Sequence, residues 1–318
     1  MPESTGSDPP ASDPAVIFAF PGGGYNRHYY DLGLPGHRGY SQAAHHAGQG
    51  FVVVTIDHIG TGDSSVPDEA LDYSDIARLN AAAVAEISQL LSSGRLPADV
   101  PGVRIGARIG LGQSYGGLLL TVLEGEHPTF DGVALLGWSA IESRPRTDLG
   151  MAPMDALLLP PGSGLAHPLR AAMHFDDEPE DIVEEDMRGW PQREGVPVPA
   201  WATRHMPGGP RQRSARSPVD PGVVSEQAAR IACPVFTACG ERDVSADLRR
   251  EPAAYATSPD ITLFFLPRAS HMHNFASTRQ LLWRRIDSWA RGVAEQRRAG
   301  AGRDAAAPVG EPATSQHA

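Results

Sequence analysis

The chain has 318 residues, 41% hydrophobic and 20% charged side chains, and a formal net charge of −11. That balance is ordinary for a globular protein of one large domain, or of a core with an insertion. It argues against a nucleic-acid partner, which needs a basic surface, and no apolar run reaches the length of a membrane span. All 27 basic side chains are arginine, which excludes Schiff-base chemistry, pyridoxal phosphate anchoring and the phosphate-loop lysine together.

Residues 1–15 open with "MPESTGSDPPASDP", which has neither a basic start nor an apolar stretch. They read as a disordered tail and not a secretory leader, so a cytoplasmic location is expected. Then come short apolar runs, each ending in turn residues: "AVIFAF" into "PGGGYN", and "FVVVTI" into "DHIGTGDSS". After Ser74, read as an N-cap, Ile76, Leu79, Ala83, Ile87 and Leu90 recur at helical spacing until Gly94. "VRIGARIGL" precedes "GQSYG", and "GVALLGW" follows a helical pattern that stops before Pro128. Near-continuous apolar strands alternating with helices predict an α/β fold, a mostly parallel central sheet with helices on both faces.

Residues 142–225 break the alternation. They are rich in Pro, Met, Trp and His and carry an acidic run, "DDEPEDIVEED", so they read as an inserted helical cap. In that run Ile182 and Val183 should face inward. The arginines of "RHMPGGPRQRSAR" either pair with the run or form a mouth for an anionic substrate. Two further strands follow, "PVFTACGERD" and "ITLFFLPRASH", then a helix with Leu282, Ile286, Trp289 and Val293 inward. The expected organisation is a core of 16–141 and 226–296, a cap of 142–225, and tails of 1–15 and 297–318. Cys233 and Cys239 would lie too far apart along one strand for a disulfide.

Ser114 stands between a strand and a helix, with Gly112 and Gly116 two places before and after. A nucleophile at such a turn needs a strained backbone and neighbours without side chains, and the helix start favours a developing oxyanion. The plain alternative is a serine serving only as an N-cap.

Here the chain resembles the α/β-hydrolase family over about residues 16–296. "FPGGGYN" looks like its oxyanion loop, "DHIGTGDSS" its D-x-x-G-x-G-x-S turn and "GQSYG" its nucleophile elbow. "GERD" looks like the turn carrying the acid and "LPRASH" the loop carrying the histidine. Pro21 departs from the family, which often has His before the oxyanion glycine.

The resemblance implies a serine hydrolase acting through an acyl-enzyme, with a catalytic triad of Ser114, Asp243 and His271. It implies an oxyanion hole from the N–H of Tyr115 and of Gly23 or Gly24, a cap inserted after the sixth family strand, and no cofactor. His273 is the alternative base; Glu241 and Glu142 are the alternative acids; Asp57 and Asp63 hold their own turn. His271 and His273 lack the further ligands a metal needs, so no metal is expected. Tyr25, Trp138, Met272 and Trp190 are expected beside a small acyl substrate with an apolar or aromatic part, in a monomer or homodimer. A carboxylic ester is the expected substrate. Thioester hydrolysis, acyl transfer, lactone or carbon–carbon bond hydrolysis, peptide cleavage and non-catalytic binding are the other readings.

Overall fold

The structure is a computed structural model that describes residues 13–68, 71–96, 101–144, 170–187, 220–245 and 247–306. The apolar runs form β1 (Ala15–Phe20), β2 (Val52–Thr55), β3 (Ala107–Gln113), β4 (Gly132–Leu136), β5 (Val235–Gly240) and β6 (Ile261–Leu266). They make one sheet in the order β2-β1-β3-β4-β5-β6, every neighbouring pair parallel. β1, β4 and β5 are buried at every position, as strands covered on both faces must be.

The two faces divide β1 residue by residue. Ala15, Ile17 and Ala19 join a cluster with Leu282, Ile286 and Trp289, whereas Val16, Phe18 and Phe20 pack with Ile76, Val84 and Leu118. The helices are α1 (Gln42–Gly48), α2 (Tyr73–Ser93), α3 (Tyr115–Glu126), α4 (Arg170–Met173), α5 (Glu180–Met187), α6 (Ser225–Ala228) and α7 (Arg279–Ala306). α7 covers the first face, with α1 packed beside it against β2; α2, α3 and α6 cover the second.

Three boundaries differ from the sequence reading. The N-cap of α2 is Asp72, not Ser74: Asp72 and Asp75 close a reciprocal capping box, and the Ser74 hydroxyl donates to Glu126 instead. β1 already includes Ala15, assigned above to the tail. At the other end α7 continues to Ala306, ten residues into the expected tail 297–318. Its alanine and arginine content sustains a helix after the buried stripe has ended.

β1 has β2 on one side and β3 on the other, so the strand order reverses there. Phe20 at the end of β1 is in register with Gly112 near the end of β3. Parallel strands send all their following loops to one edge, and the crevice beside such a reversal is where open α/β sheets place ligands.

Of the expected cap, residues 145–169 and 188–219 lie outside the described residues, the arginine-rich stretch and Trp190 among them. In α5, Ile182 and Val183 are buried as expected. Asp176 and Asp177, from the acidic run, pair with Arg242 and Arg268 of the loops after β5 and β6.

Candidate active site

The residue at the tip of β3 is held in an unfavourable conformation. Ser114 has φ 53° and ψ −117°, a positive φ that side chains other than glycine rarely adopt. The Ser114 N–H donates to the Leu136 carbonyl of β4 at 2.8 Å, and the Leu118 N–H returns to the Ser114 carbonyl to start α3.

The flanking glycines explain how the turn closes. A Cβ on Gly112 would lie 2.5 Å from the Gly116 carbonyl oxygen, and one on Gly116 would run into the Phe20 carbonyl. Both collisions are with backbone, which cannot swing aside. Ser114 occupies the N-cap position of α3 but makes no capping hydrogen bond with its side chain.

That hydroxyl faces His271. Ser114 Oγ lies 2.8 Å from His271 Nε2, and His271 Nδ1 lies 2.7 Å from Asp243 Oδ1. Asp243 sits on the turn after β5, where the Val244 N–H donates to Oδ1 at 2.7 Å and the Gly240 N–H to Oδ2 at 2.8 Å. His273 does not reach Ser114 Oγ; its Nε2 donates to Asp243 Oδ2 at 2.6 Å. Among the described residues His273 Nδ1 has no partner, although it is buried.

Burial opposes ionisation of Asp243, but the imidazoles of His271 and His273 outweigh it and hold the carboxyl far below its usual range. Neither alternative acid approaches this chain: Glu241 accepts the Arg268 N–H, and Glu142 pairs with Arg144.

The "PGGG" loop leans on the elbow: a Cβ on Gly22 would lie 3.2 Å from Ser114 Cβ. Three successive carbonyls leading into it are anchored. The Tyr30 hydroxyl donates to Phe20 O at 2.8 Å, His58 Nε2 to Pro21 O at 3.0 Å, and the Tyr25 N–H to Gly22 O at 3.2 Å. Gly24 takes φ 79°, so the turn needs a glycine there.

Burial depresses the basicity of His58, with Pro21 O and Asn80 opposing it. The ring stays neutral, with its proton on the nitrogen facing Pro21. This brace from the β2 turn escaped the sequence reading, although "DHIGTGDSS" contains it. Asp57 and Asp63 do organise that turn: Asp57 accepts the Arg27 and Asp63 N–H groups, and Arg27 bridges both carboxylates.

The expected substrate residues separate. Tyr25 is buried, with its hydroxyl donating to Asp186 Oδ2 at 2.7 Å. Trp138 packs against Gly117 of α3 within the core, and Met272 is likewise a core side chain.

Among the described residues, His45, His46 and Asp287 alone bring three metal-ligand groups together. They are already satisfied by one another, His45 to Asp287 at 2.9 Å and His46 to Asp287 at 2.6 Å, with Gln42 on the remaining His46 nitrogen. They tie α1 to α7.

The profile of the Alpha/beta hydrolase family matches residues 16–282. No curated protein matches the chain in sequence. Among solved structures, a thermophilic esterase from Thermogutta terrifontis is similar at 15% identity and a TM-score of 0.57, over 89% of this chain and 92% of that one. The monoacylglycerol lipase of Paleococcus ferrophilus is similar at 16% identity and 0.55, over 89% and 96%. E-2-(acetamidomethylene)succinate hydrolase is similar at 17% identity and 0.52, over 87% and 91%. With the parallel sheet, the order of its strands and the family match over most of its length, the chain belongs to the α/β-hydrolase family.

Proposed function

We propose that the protein is a cofactor-free serine hydrolase that cleaves a carboxylic ester of a small molecule through an acyl-enzyme. The observation that carries this reading is the continuous chain from Ser114 Oγ through His271 to Asp243, built on a strained elbow at a sheet edge.

An alcohol attacks an acyl carbon only when a base takes its proton. As the Ser114 Oγ–carbon bond forms, its proton moves to His271 Nε2 and the carbonyl electrons move onto oxygen. That oxyanion accepts from the Tyr115 N–H and from Gly23 or Gly24, each such donor being worth on the order of 3 kcal/mol in the transition state. Asp243 stays ionised and stabilises the imidazolium, consistent with its depressed pKa. Collapse breaks the bond to the leaving alcohol, which takes the proton from His271. Water then repeats the sequence on the acyl-enzyme, releasing acid and regenerating the serine.

The test is p-nitrophenyl acetate hydrolysis with covalent labelling by a fluorophosphonate. The wild type should show a burst of nitrophenol and accept one label, and Ser114→Ala should lose both, with kcat falling by up to about a millionfold. Labelling or turnover undiminished in Ser114→Ala would overturn the reading.

A further inference from the structure

A buried histidine with carboxylates on both nitrogens lies outside the chain just described. His174 follows α4 and is fully buried, as are its partners' side chains. Its Nδ1 lies 2.6 Å from Glu178 Oε2 and its Nε2 2.9 Å from Asp186 Oδ2. A neutral imidazole has one N–H, so it would turn a lone pair on one of the two carboxylates; only the imidazolium donates to both. The same Asp186 oxygen accepts from the Tyr25 hydroxyl at 2.7 Å. Tyr25 is the residue whose N–H closes the "PGGG" turn on Gly22.

We propose that His174 is a positioning residue for the oxyanion loop, acting through Asp186 and Tyr25. The inference rests on the reading of Ser114 as nucleophile and of Gly23 or Gly24 as oxyanion donors. Its segment also anchors the base: the His271 and Met272 N–H groups donate to the Ala172 and Met173 carbonyls at 3.0 and 2.9 Å, and Ser270 Oγ to Ala171 O at 3.0 Å. Residues 170–187 thus hold the loops after β1 and β6 from one side, and the imidazolium is the buried charge that lets two carboxylates sit between them. Burial opposes protonation of His174, but Asp186 and Glu178 outweigh it and raise its pKa to about 9. Among the described residues, the groups facing this cluster are Tyr25 and Tyr29 from the β1 loop, the Phe275 ring from the β6 loop, and Arg279 of α7, whose guanidinium feels Glu178.

The test is a double-mutant cycle on p-nitrophenyl acetate turnover, with thermal melts to confirm folding. Tyr25→Phe keeps the ring and removes the one hydroxyl that transmits the constraint. It should lower kcat about tenfold with KM unchanged, since small misplacements of transition-state donors are costly. His174→Gln should lower kcat as well, and the double variant should be no worse than the poorer single one. The wild-type kcat should fall as pH rises past about 9, and His174→Gln should lack that limb.

A folded Tyr25→Phe with wild-type kcat, a change confined to KM, or losses that multiply in the double variant would overturn the proposal. Should the Ser114 reading itself be wrong, Ser114→Ala would remain active, a result none of these variants can imitate.

Discussion

His271 and His273 lie two residues apart and share the carboxylate of Asp243, one on each oxygen. Spacing from the strand favoured His271 but could not dismiss His273, because which ring turns toward a serine 157 residues earlier depends on the loop's path and not on composition. The geometry separates their variants. His271→Phe removes the only imidazole among the described residues within reach of Ser114 Oγ and should abolish turnover. His273→Phe leaves Asp243 Oδ2 with only the Gly240 N–H among its described partners, and a hydrogen bond to a charged group is worth about 1.5–3 kcal/mol. It should therefore lower kcat by roughly ten- to a hundredfold, while His273→Gln, which keeps an N–H donor at similar reach, should recover most of the loss. Steady-state kcat for the three variants checks this, and equal inactivation by His273→Phe and His271→Phe would contradict it. What was readable at this scale was chemistry confined to a few consecutive residues, such as the Gly-x-Ser-x-Gly turn. His58 and His174 were not readable, because each matters through partners that only the folded chain brings to it.

Elements were legible where a local rule acts alone. The stripe Leu282, Ile286, Trp289 and Val293 is buried on α7, and Gly94 ends α2 in the left-handed conformation at φ 64°. The same rules separate two glycines. Gly94→Ala forces a side chain into the left-handed region, which costs about 1–2 kcal/mol, and places its Cβ 3.3 Å from the Gly102 nitrogen. Gly292 lies inside α7 with open space around its would-be Cβ and no positive φ. Gly292→Ala should therefore stabilise the fold by about 0.5–1 kcal/mol. Urea denaturation of the two variants should shift the midpoint in opposite directions, and a common direction would mean that the α7 glycine is kept for a contact. The short helices α4 and α5 obey no such local rule. Their acidic run reads as a solvated face with apolar residues beneath, and so it is at Ile182 and Val183. Yet His174, Glu178 and Asp186 of the same segment are buried, because two carboxylates and an imidazolium neutralise most of one another's desolvation cost.

Ordinary carboxylates titrate below neutral pH and tyrosine and arginine above about 9, so one buried histidine with a raised pKa can dominate the stability of the whole molecule between pH 7 and 8.5. The pKa of His174 is raised from 6.5 to about 9 on folding. Its contribution is complete below about 6.5 and is lost as pH rises through about 9, because the unfolded chain releases the proton first. Other groups act in other windows. Burial lowers His46 and His58, so their effect is a loss of stability as pH falls below 6.5. Glu124, raised to about 7 by burial, loses its contribution between its ordinary range and about 7. Burial pushes the thiols of Cys233 and Cys239 upward, and their contribution declines only above about 9. Between pH 7 and 8.5 the slope therefore belongs mainly to His174. At 1.36 kcal/mol per pH unit for one proton, the unfolding free energy should drop by roughly 2 kcal/mol across that interval. Urea melts at the two pH values measure it, with His174→Gln as the reference: the variant should be less stable at pH 7 and nearly flat to pH 8.5. A wild type as flat as the variant would mean that the folded cluster holds no extra proton over this range, with a neutral His174 between two ionised carboxylates.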